Sequence, residues 1–322
     1  MNRHPNTTSN AALIDRFRGA LFGLAVGDAI GTTVEFKPRG SFEPVTDLLG
    51  GGPFALAAGQ WTDDTAMALC LATSLRECGS FDAADQMARY RRWYRDGYLS
   101  ATGFCFDIGN ATRDALLRFE RHGDPYAGAT HPQSAGNGCL MRLAPVPMAF
   151  FGDIEQATHY AAESARTTHG AAECLDASRL FGRMLHRALA GAAKADILLA
   201  DDAYPFASES IRRLAEGGYT GKPAEHIRGS GYVVESLEAA LWCFHSTESY
   251  ADAVLKAVNL GDDADTTAAI CGQLAGAHYG YSAIPAEWSG KIAMRDEIMG
   301  LAEGLVTAAN GRFRFRYANP TS

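Results

Sequence analysis

What the chain lacks narrows its class before any motif is read. It has seven cysteines, at 70, 78, 105, 139, 174, 243 and 271, an odd number with no CxxC pair and no metal-like spacing. That pattern argues against a disulfide framework or a thiolate metal site and suggests reduced thiols in a cytoplasm. No Pro/Gly/Ser-rich linker and no shift in composition divides the 322 residues, so a single large domain is expected, spanning 11–311. The first ten residues are polar, lack the apolar core of a signal peptide, and read as a flexible tail. The longest early apolar run, Leu21 to Val26, is far too short to span a bilayer. Positive charge is not in excess either. A formal charge of −8 argues against a nucleic-acid groove, and the local group Arg89, Arg91, Arg92 and Arg95 reads as a solvated helix face.

Strand signals are scarce as well, whereas helical periodicity recurs, so the fold class expected is all-α with loops carrying the chemistry. Helices are expected over Ala11–Ala29, Thr65–Leu75, Phe81–Tyr98, Ala172–Ala190, Val233–Phe244 and Thr266–His278. In the first, Gly19, Gly23 and Gly27 fall four apart on one face, a pattern that admits a close helix neighbour. At the far end, residues 312–317 alternate with period two, which fits either a short strand or an arm lying on the surface; 312–322 is read as a C-terminal arm without function.

What is present in abundance is acid without counter-charge. Trp61-Thr62-Asp63-Asp64-Thr65 and Gly261-Asp262-Asp263-Ala264-Asp265-Thr266 each open a long small-and-apolar stretch, and Asp63 and Asp263 stand 200 positions apart. Asp and Thr at a helix start ordinarily cap it, but a cap needs one oxygen. Here two and three carboxylates crowd together, with no Lys or Arg from Gly40 to Leu75 or from Ala257 to Gly290. Such crowding raises pKa values unless a cation neutralises it. Oxygen-only donors suit a hard cation such as Mg²⁺ or Mn²⁺ rather than Zn²⁺. The two clusters are therefore expected to form two halves of one metal site.

Further polar motifs lie in glycine-rich settings: Gly27-Asp28 followed by Glu35, Asp107-Ile108-Gly109-Asn110, Ser134-Ala135-Gly136-Asn137-Gly138 before Met141-Arg142, and Thr168-His169-Gly170. Taken singly, Gly136-Asn137-Gly138 is a turn signal that could equally present backbone N–H groups to a pyrophosphate. His169 alone reads first as a satisfied structural histidine, and Asp107 as a cap or turn residue.

Taken in order, with Gly19-Ala20-Leu21-Phe22-Gly23-Leu24-Ala25-Val26-Gly27-Asp28 and Gly231-Tyr232-Val233, these motifs resemble the ADP-ribosylglycohydrolase family over about residues 16 to 290. The wording is most similar to the bacterial, arginine-directed branch. The resemblance implies a compact orthogonal helical bundle that binds two Mg²⁺ or Mn²⁺ ions beside the substrate ribose. It implies that Thr62, Asp63 and Asp64 hold metal from the first cluster, and Asp263, Asp265 and Thr266 from the second. Glu35 would help activate water and Asp107 would stand by the scissile ribose. Ser134, Gly136, Asn137, Gly138 and His169 would bind the diphosphate and ribose, and Tyr232 would stack on adenine. One departure is Asp262, where many members of the family have glycine; an outward-facing side chain is expected there.

The activity implied is hydrolysis of the N-glycosidic bond between ADP-ribose and a modified protein side chain, most readily arginine. Its partners would be a mono-ADP-ribosylated protein, ADP-ribose and an ADP-ribosyltransferase toxin. Two alternatives stay open: a protein that mainly binds ADP-ribose or neutralises such a toxin, and a hydrolase of serine-linked or small-molecule ADP-ribose. Specificity would depend on the loops over 79–133 and 200–230.

Overall fold

A computed structural model describes residues 7–199, 201 and 203–317. Fourteen α-helices are found among them: α1 Thr7–Gly31, α2 Asp63–Cys78, α3 Ala83–Asp96, α4 Asn110–His122, α5 Pro145–Ala149, α6 Ile154–Arg166, α7 Ala172–Leu189, α8 Lys194–Leu199, α9 Glu209–Ala215, α10 Val233–His245, α11 Tyr250–Val258, α12 Ala264–Tyr279, α13 Ala286–Ser289 and α14 Arg295–Tyr317. Extended pairing among the described residues is limited to isolated bridges such as Gly136 with Tyr232 and Ala129 with His169. The all-α expectation is met.

The central pair is α1 with α12, running antiparallel. A Cβ placed on Gly19 would lie 2.1 Å from the Gly276 carbonyl oxygen, and one on Gly272 would lie 2.2 Å from that of Gly23. The two backbones are thus in contact, which only residues without a side chain permit. The glycine face read from sequence is this seam. Helix α2 lies within the same interior: every residue from Asp63 to Leu75 is buried. Its sequence is too apolar for an exposed face, so the acidic residues at its start are carried inward with the rest.

Two boundaries differ from expectation. Helix α1 begins at Thr7, so residues 7–10 are helical; residues 1–6 of the expected tail lie outside the described residues. Helix α14 continues through 312–317, so the period-two alternation there sits on a helical backbone and not in a strand; 318–322 lie outside the described residues. The arginine group on α3 is mostly the solvated face expected: Arg91, Arg92 and Arg95 are exposed, with Arg92 over the Tyr98 ring and Arg95 paired with Glu120, while Arg89 is buried against Asp85 and Glu77.

Candidate active site

The starts of α2 and α12 meet. Thr62 Oγ1 lies 3.4 Å from Asp265 Oδ2, and Thr266 Oγ1 lies 3.2 Å from Asp64 Oδ1. Each hydroxyl therefore reaches across to the other cluster's carboxylate. Thr62 and Asp263 occupy the N-cap positions of the two helices, yet neither makes a side-chain cap hydrogen bond. Their oxygens are not spent on helix ends, which removes the capping explanation for both.

The capping of α2 comes instead from α1. Buried Asp28 accepts from the Thr62 N–H at 2.9 Å and the Thr65 N–H at 3.0 Å, and its oxygens also face the Thr62 and Thr65 hydroxyls at 3.0 and 2.6 Å. Two of the unpaired N–H groups at the start of α2 are thus satisfied by a carboxylate from another helix. Burial nonetheless pushes Asp28 up to about 6.

Around this core the other acidic groups converge. Glu35, Asp107 and Asp265 each place a carboxylate oxygen within 4.8 Å of the other two. Burial, with the neighbouring Asp107, Asp263 and Asp28 charges, pushes Glu35 up to about 9; burial and like charges take Asp107 to about 7. Asp63, Asp64 and Asp265 are raised by the same causes. Among the described residues no Lys, Arg or His forms an ion pair with any of these carboxylates. Asp64 Oδ2, Asp265 Oδ1 and Glu35 Oε2 are buried without a hydrogen-bond partner. Orphaned, crowded, buried carboxylate oxygens beside two threonine hydroxyls are what a hard divalent cation requires, and the donor set fits one. The same crowding would be strongly unfavourable without a cation.

A cleft of about 810 Å³ opens above the cluster, lined by Glu35, Asp63, Asp107, Gly136, Asn137, Gly138, His169, Asp263, Asp265 and Thr266 among others. Most residues expected at the site are therefore brought together, though not all in the manner expected. Asn137 donates its amide to Asp263 Oδ2 at 2.7 Å and to Ser236 Oγ at 3.1 Å, and its backbone N–H to the Gly231 carbonyl. It orients a carboxylate rather than offering donors to a diphosphate. The Gly136 N–H is also committed, to the Ser134 carbonyl, so the loop is less of an anion nest than its glycines suggest. Ser134 does not line the cleft: its hydroxyl donates within its own loop, 2.6 Å from the His131 carbonyl and 3.2 Å from that of Ala129. Tyr232 stands at an adjoining cavity of about 530 Å³ that shares Gly136 and Gly231 with the main cleft. Its hydroxyl donates to Glu173 at 2.6 Å, and the residue is 38% exposed.

Two backbone features shape the mouth. Asp107 holds φ at 56° and Phe36 at 63°, both in the left-handed region that is costly for a residue with a side chain. Asp262 shares it at 55°. The Asp262 N–H donates to the Lys37 carbonyl at 2.8 Å, and the Phe36 N–H to the Asp262 carbonyl at 2.7 Å, which ties the Glu35 segment to the start of α12. Asp262 is exposed but lines the cleft, where an outward-facing side chain was expected, and its φ explains why glycine suits the position.

Three participants escaped the sequence reading: Asp28 as the cap of α2, Asn137 as the holder of Asp263, and Phe36 as part of the cleft wall. Asp28 left a trace as a carboxylate in an otherwise apolar helical run, and Asn137 as the centre of a glycine-rich motif expected to bind substrate; Phe36 left none.

Comparison with known proteins agrees with this geometry. The family model described as ADP-ribosylglycohydrolase matches residues 9–314. The chain is 46% identical over 300 residues to the ADP-ribosylarginine hydrolase Tri1 of Pseudomonas putida (strain GB-1), covering 92% of this chain and 79% of that protein. It is 33% identical to the ADP-ribosyl-[dinitrogen reductase] glycohydrolase of Rhodospirillum rubrum, covering 88% and 92%. A solved structure described as an ADP-ribosylglycohydrolase-related protein complex superposes with a TM-score of 0.83 at 44% identity, covering 93% of this chain and 99% of that one. The helical frame, the paired acidic helix starts and these matches together place the chain in the ADP-ribosylglycohydrolase family.

Proposed function

We propose that the protein hydrolyses the N-glycosidic bond between ADP-ribose and an arginine side chain. The observation that carries this reading is the contact between the two acidic helix starts, Thr62 with Asp265 and Thr266 with Asp64, at the floor of a single cleft. The arginine linkage follows from the relatives, two of which are named ADP-ribosylarginine hydrolases at 46% and 41% identity.

In this reading Thr62, Asp63, Asp64, Asp263, Asp265 and Thr266 hold two Mg²⁺ or Mn²⁺ ions. Such ions supply Lewis-acid positioning of the ribose hydroxyls and a more acidic water. The side chains of the cleft do the rest. Glu35, within 4.8 Å of Asp107 and Asp265, takes a proton from the attacking water, as a carboxylate that a cation offsetting the surrounding negative charge would leave ionised. Asp107 faces the ribose and stabilises positive charge as the bond to the guanidinium nitrogen stretches toward an oxocarbenium-like state. The buried surround keeps both carboxylates in a low-dielectric setting, where a small displacement of charge counts for more than in water. Tyr232, a partly exposed residue bridged to Gly136 beside the main cleft, receives the adenine.

A protein that only binds ADP-ribose would have no use for orphaned carboxylate oxygens at the cleft floor. The test is to offer the purified protein, with Mg²⁺ or Mn²⁺, arginine-, serine- and cysteine-linked mono-ADP-ribosyl proteins and to follow free ADP-ribose. Release from arginine at least about tenfold faster than from serine is expected, a difference of about 1.4 kcal/mol in the transition state. Equal rates, or release from serine alone, would overturn the linkage assignment.

A further inference from the structure

Behind the cleft wall lies a cation that no carboxylate meets. Arg142 is fully buried, and among the described residues no acidic side chain lies within ion-pair distance of it. Its Nη2 donates to Thr168 Oγ1 at 2.5 Å, its Nη1 stands 3.8 Å from Met67 Sδ, and its guanidinium carbon is 4.8 Å from the centre of the Tyr90 ring. Nε has no partner. Thr168, equally buried, has its Oγ1 2.7 Å from His169 Nδ1.

The direction of this chain of hydrogen bonds is fixed by its first member. A guanidinium donates and never accepts, so the Thr168 oxygen is the acceptor in the first bond. Its single hydrogen then has one acceptor within reach among the described residues, His169 Nδ1. Nδ1 must therefore be bare, and the proton of the neutral ring stands on Nε2. Protonating both nitrogens is opposed by burial and by the Arg142 charge, which together push His169 down to about 3. Nε2 has no protein partner among the described residues, and its edge faces the cleft. A Cβ added to Gly138 would meet Cε1 at 2.8 Å and Nε2 at 3.1 Å, and one added to Gly136 would meet Nε2 at 3.4 Å.

We propose that Arg142 is a positioning residue that acts through Thr168 to lock His169 in the Nε2–H tautomer, so that the cleft presents one fixed donor to an acceptor oxygen of ADP-ribose. The inference rests on the assignment of this cleft to ADP-ribose. In the other tautomer the same edge would carry a lone pair and repel that oxygen. The glycines at 136 and 138 leave the donor uncovered, which gives them a role in a loop whose amides are partly spent.

The tautomer is read directly from long-range ¹H–¹⁵N correlation spectra of the histidine rings in the intact protein, with His169 assigned by its loss in His169→Gln. The wild type should show protonated Nε2 and bare Nδ1 at neutral pH. Thr168→Val, nearly isosteric, should shift the ring toward Nδ1–H or a mixture and weaken ADP-ribose binding by about tenfold or more, while Thr168→Ser restores both. Arg142→Gln, whose amide can accept as well as donate, should blur the tautomer in the same way; should it fail to fold, the threonine pair still decides. Protonated Nδ1 or an imidazolium in the wild type would overturn the proposal. So would a Thr168→Val protein with an unchanged tautomer and unchanged affinity. A wild type with the expected tautomer that fails to bind ADP-ribose in calorimetry would instead overturn the cleft assignment, and with it the recipient of the hydrogen bond.

Discussion

The two acidic helix starts do similar chemistry from unlike supports. At α2, Asp63 and Asp64 already belong to the helix, are buried, and sit on a start that Asp28 of α1 caps. At α12, Asp263 precedes the helix at φ −89° and ψ 64°, and its side chain is held by Asn137, its N–H by the Gly229 carbonyl. The residue before it, Asp262, is bonded to the Glu35 segment on both sides. One half of the site is thus fixed by helix packing and the other by the meeting of three loops. Perturbing the first should cost mainly stability, and perturbing the second mainly turnover.

The largest effect is expected from Asp28→Ala, which strips the acceptor from two buried N–H groups and two hydroxyls. A loss of about 3 kcal/mol is expected, since each buried donor left unmade costs about 1–3 kcal/mol and relief of like-charge repulsion returns part of the sum. Urea unfolding measures it, and a midpoint equal to that of the wild type would erase the contrast between the two halves.

Asp263→Asn should do the reverse. It keeps the side-chain volume and removes one carboxylate charge, so turnover should drop by at least about a hundredfold, equivalent to about 2.7 kcal/mol, while the unfolding midpoint in the absence of metal stays level or rises. Steady-state hydrolysis of ADP-ribosylated arginine beside a denaturation curve separates the two. Full activity in Asp263→Asn at sub-micromolar free metal would remove it from the site.

Acidity and metal should act in opposition. In the metal-free protein Glu35 is pushed up to about 9 and Asp107 to about 7, whereas in the unfolded chain such groups ionise near 4. Between about pH 5 and pH 9 the folded state therefore holds more protons than the unfolded one, and stability falls as pH rises. Mg²⁺ or Mn²⁺ replaces those protons, so millimolar metal should raise the melting temperature, and more at pH 8 than at pH 6. A melting temperature that ignores metal at both pH values would count against a cation site.

The smallest effect concerns Asp262. Its φ of 55° favours glycine, so Asp262→Gly should relieve local strain and shift stability by less than about 1 kcal/mol, with turnover little changed, because its side chain, though it lines the cleft, is exposed to solvent. A marked fall in turnover would mean that the exposed carboxylate takes part in the reaction.

How far the sequence could be read follows the range of the interactions. Helix α2 was legible because apolar residues fill every face from Ala66 to Leu75, and the α1 seam because three glycines repeat at a spacing of four. The acidic starts were legible because their charges lie side by side without nearby lysine or arginine. What was not legible is pairing across the fold. Asp28 reaches a helix start 34 and 37 residues on, Asn137 reaches Asp263 over 126, and Arg142 reaches Thr168 over 26. No local period encodes these. Ser134 was drawn toward the substrate by its place in a glycine-rich motif, yet its hydroxyl is used in closing its own turn. The left-handed backbone at Phe36 was hidden for a related reason: such a conformation normally advertises itself with glycine, asparagine or aspartate, and a phenylalanine gives no such sign.

The α1–α12 seam acts as a ruler. At one end Gly19 rests on the carbonyl of Gly276; at the other, Gly31 stands so near Asp265 that an added Cβ would lie 2.4 Å from its Cα. The offset between Asp28 and Asp265 is thereby set by main chain against main chain, with no rotamer in between to absorb error. Slipping one helix by a turn would move Asp265 by about 5.4 Å, and widening the seam by a single methyl at Gly19 would be transmitted along about 18 Å of helix to the site. The seam thus admits no added side chain, for a reason unrelated to reactivity: its glycines are the graduations against which two carboxylates are measured.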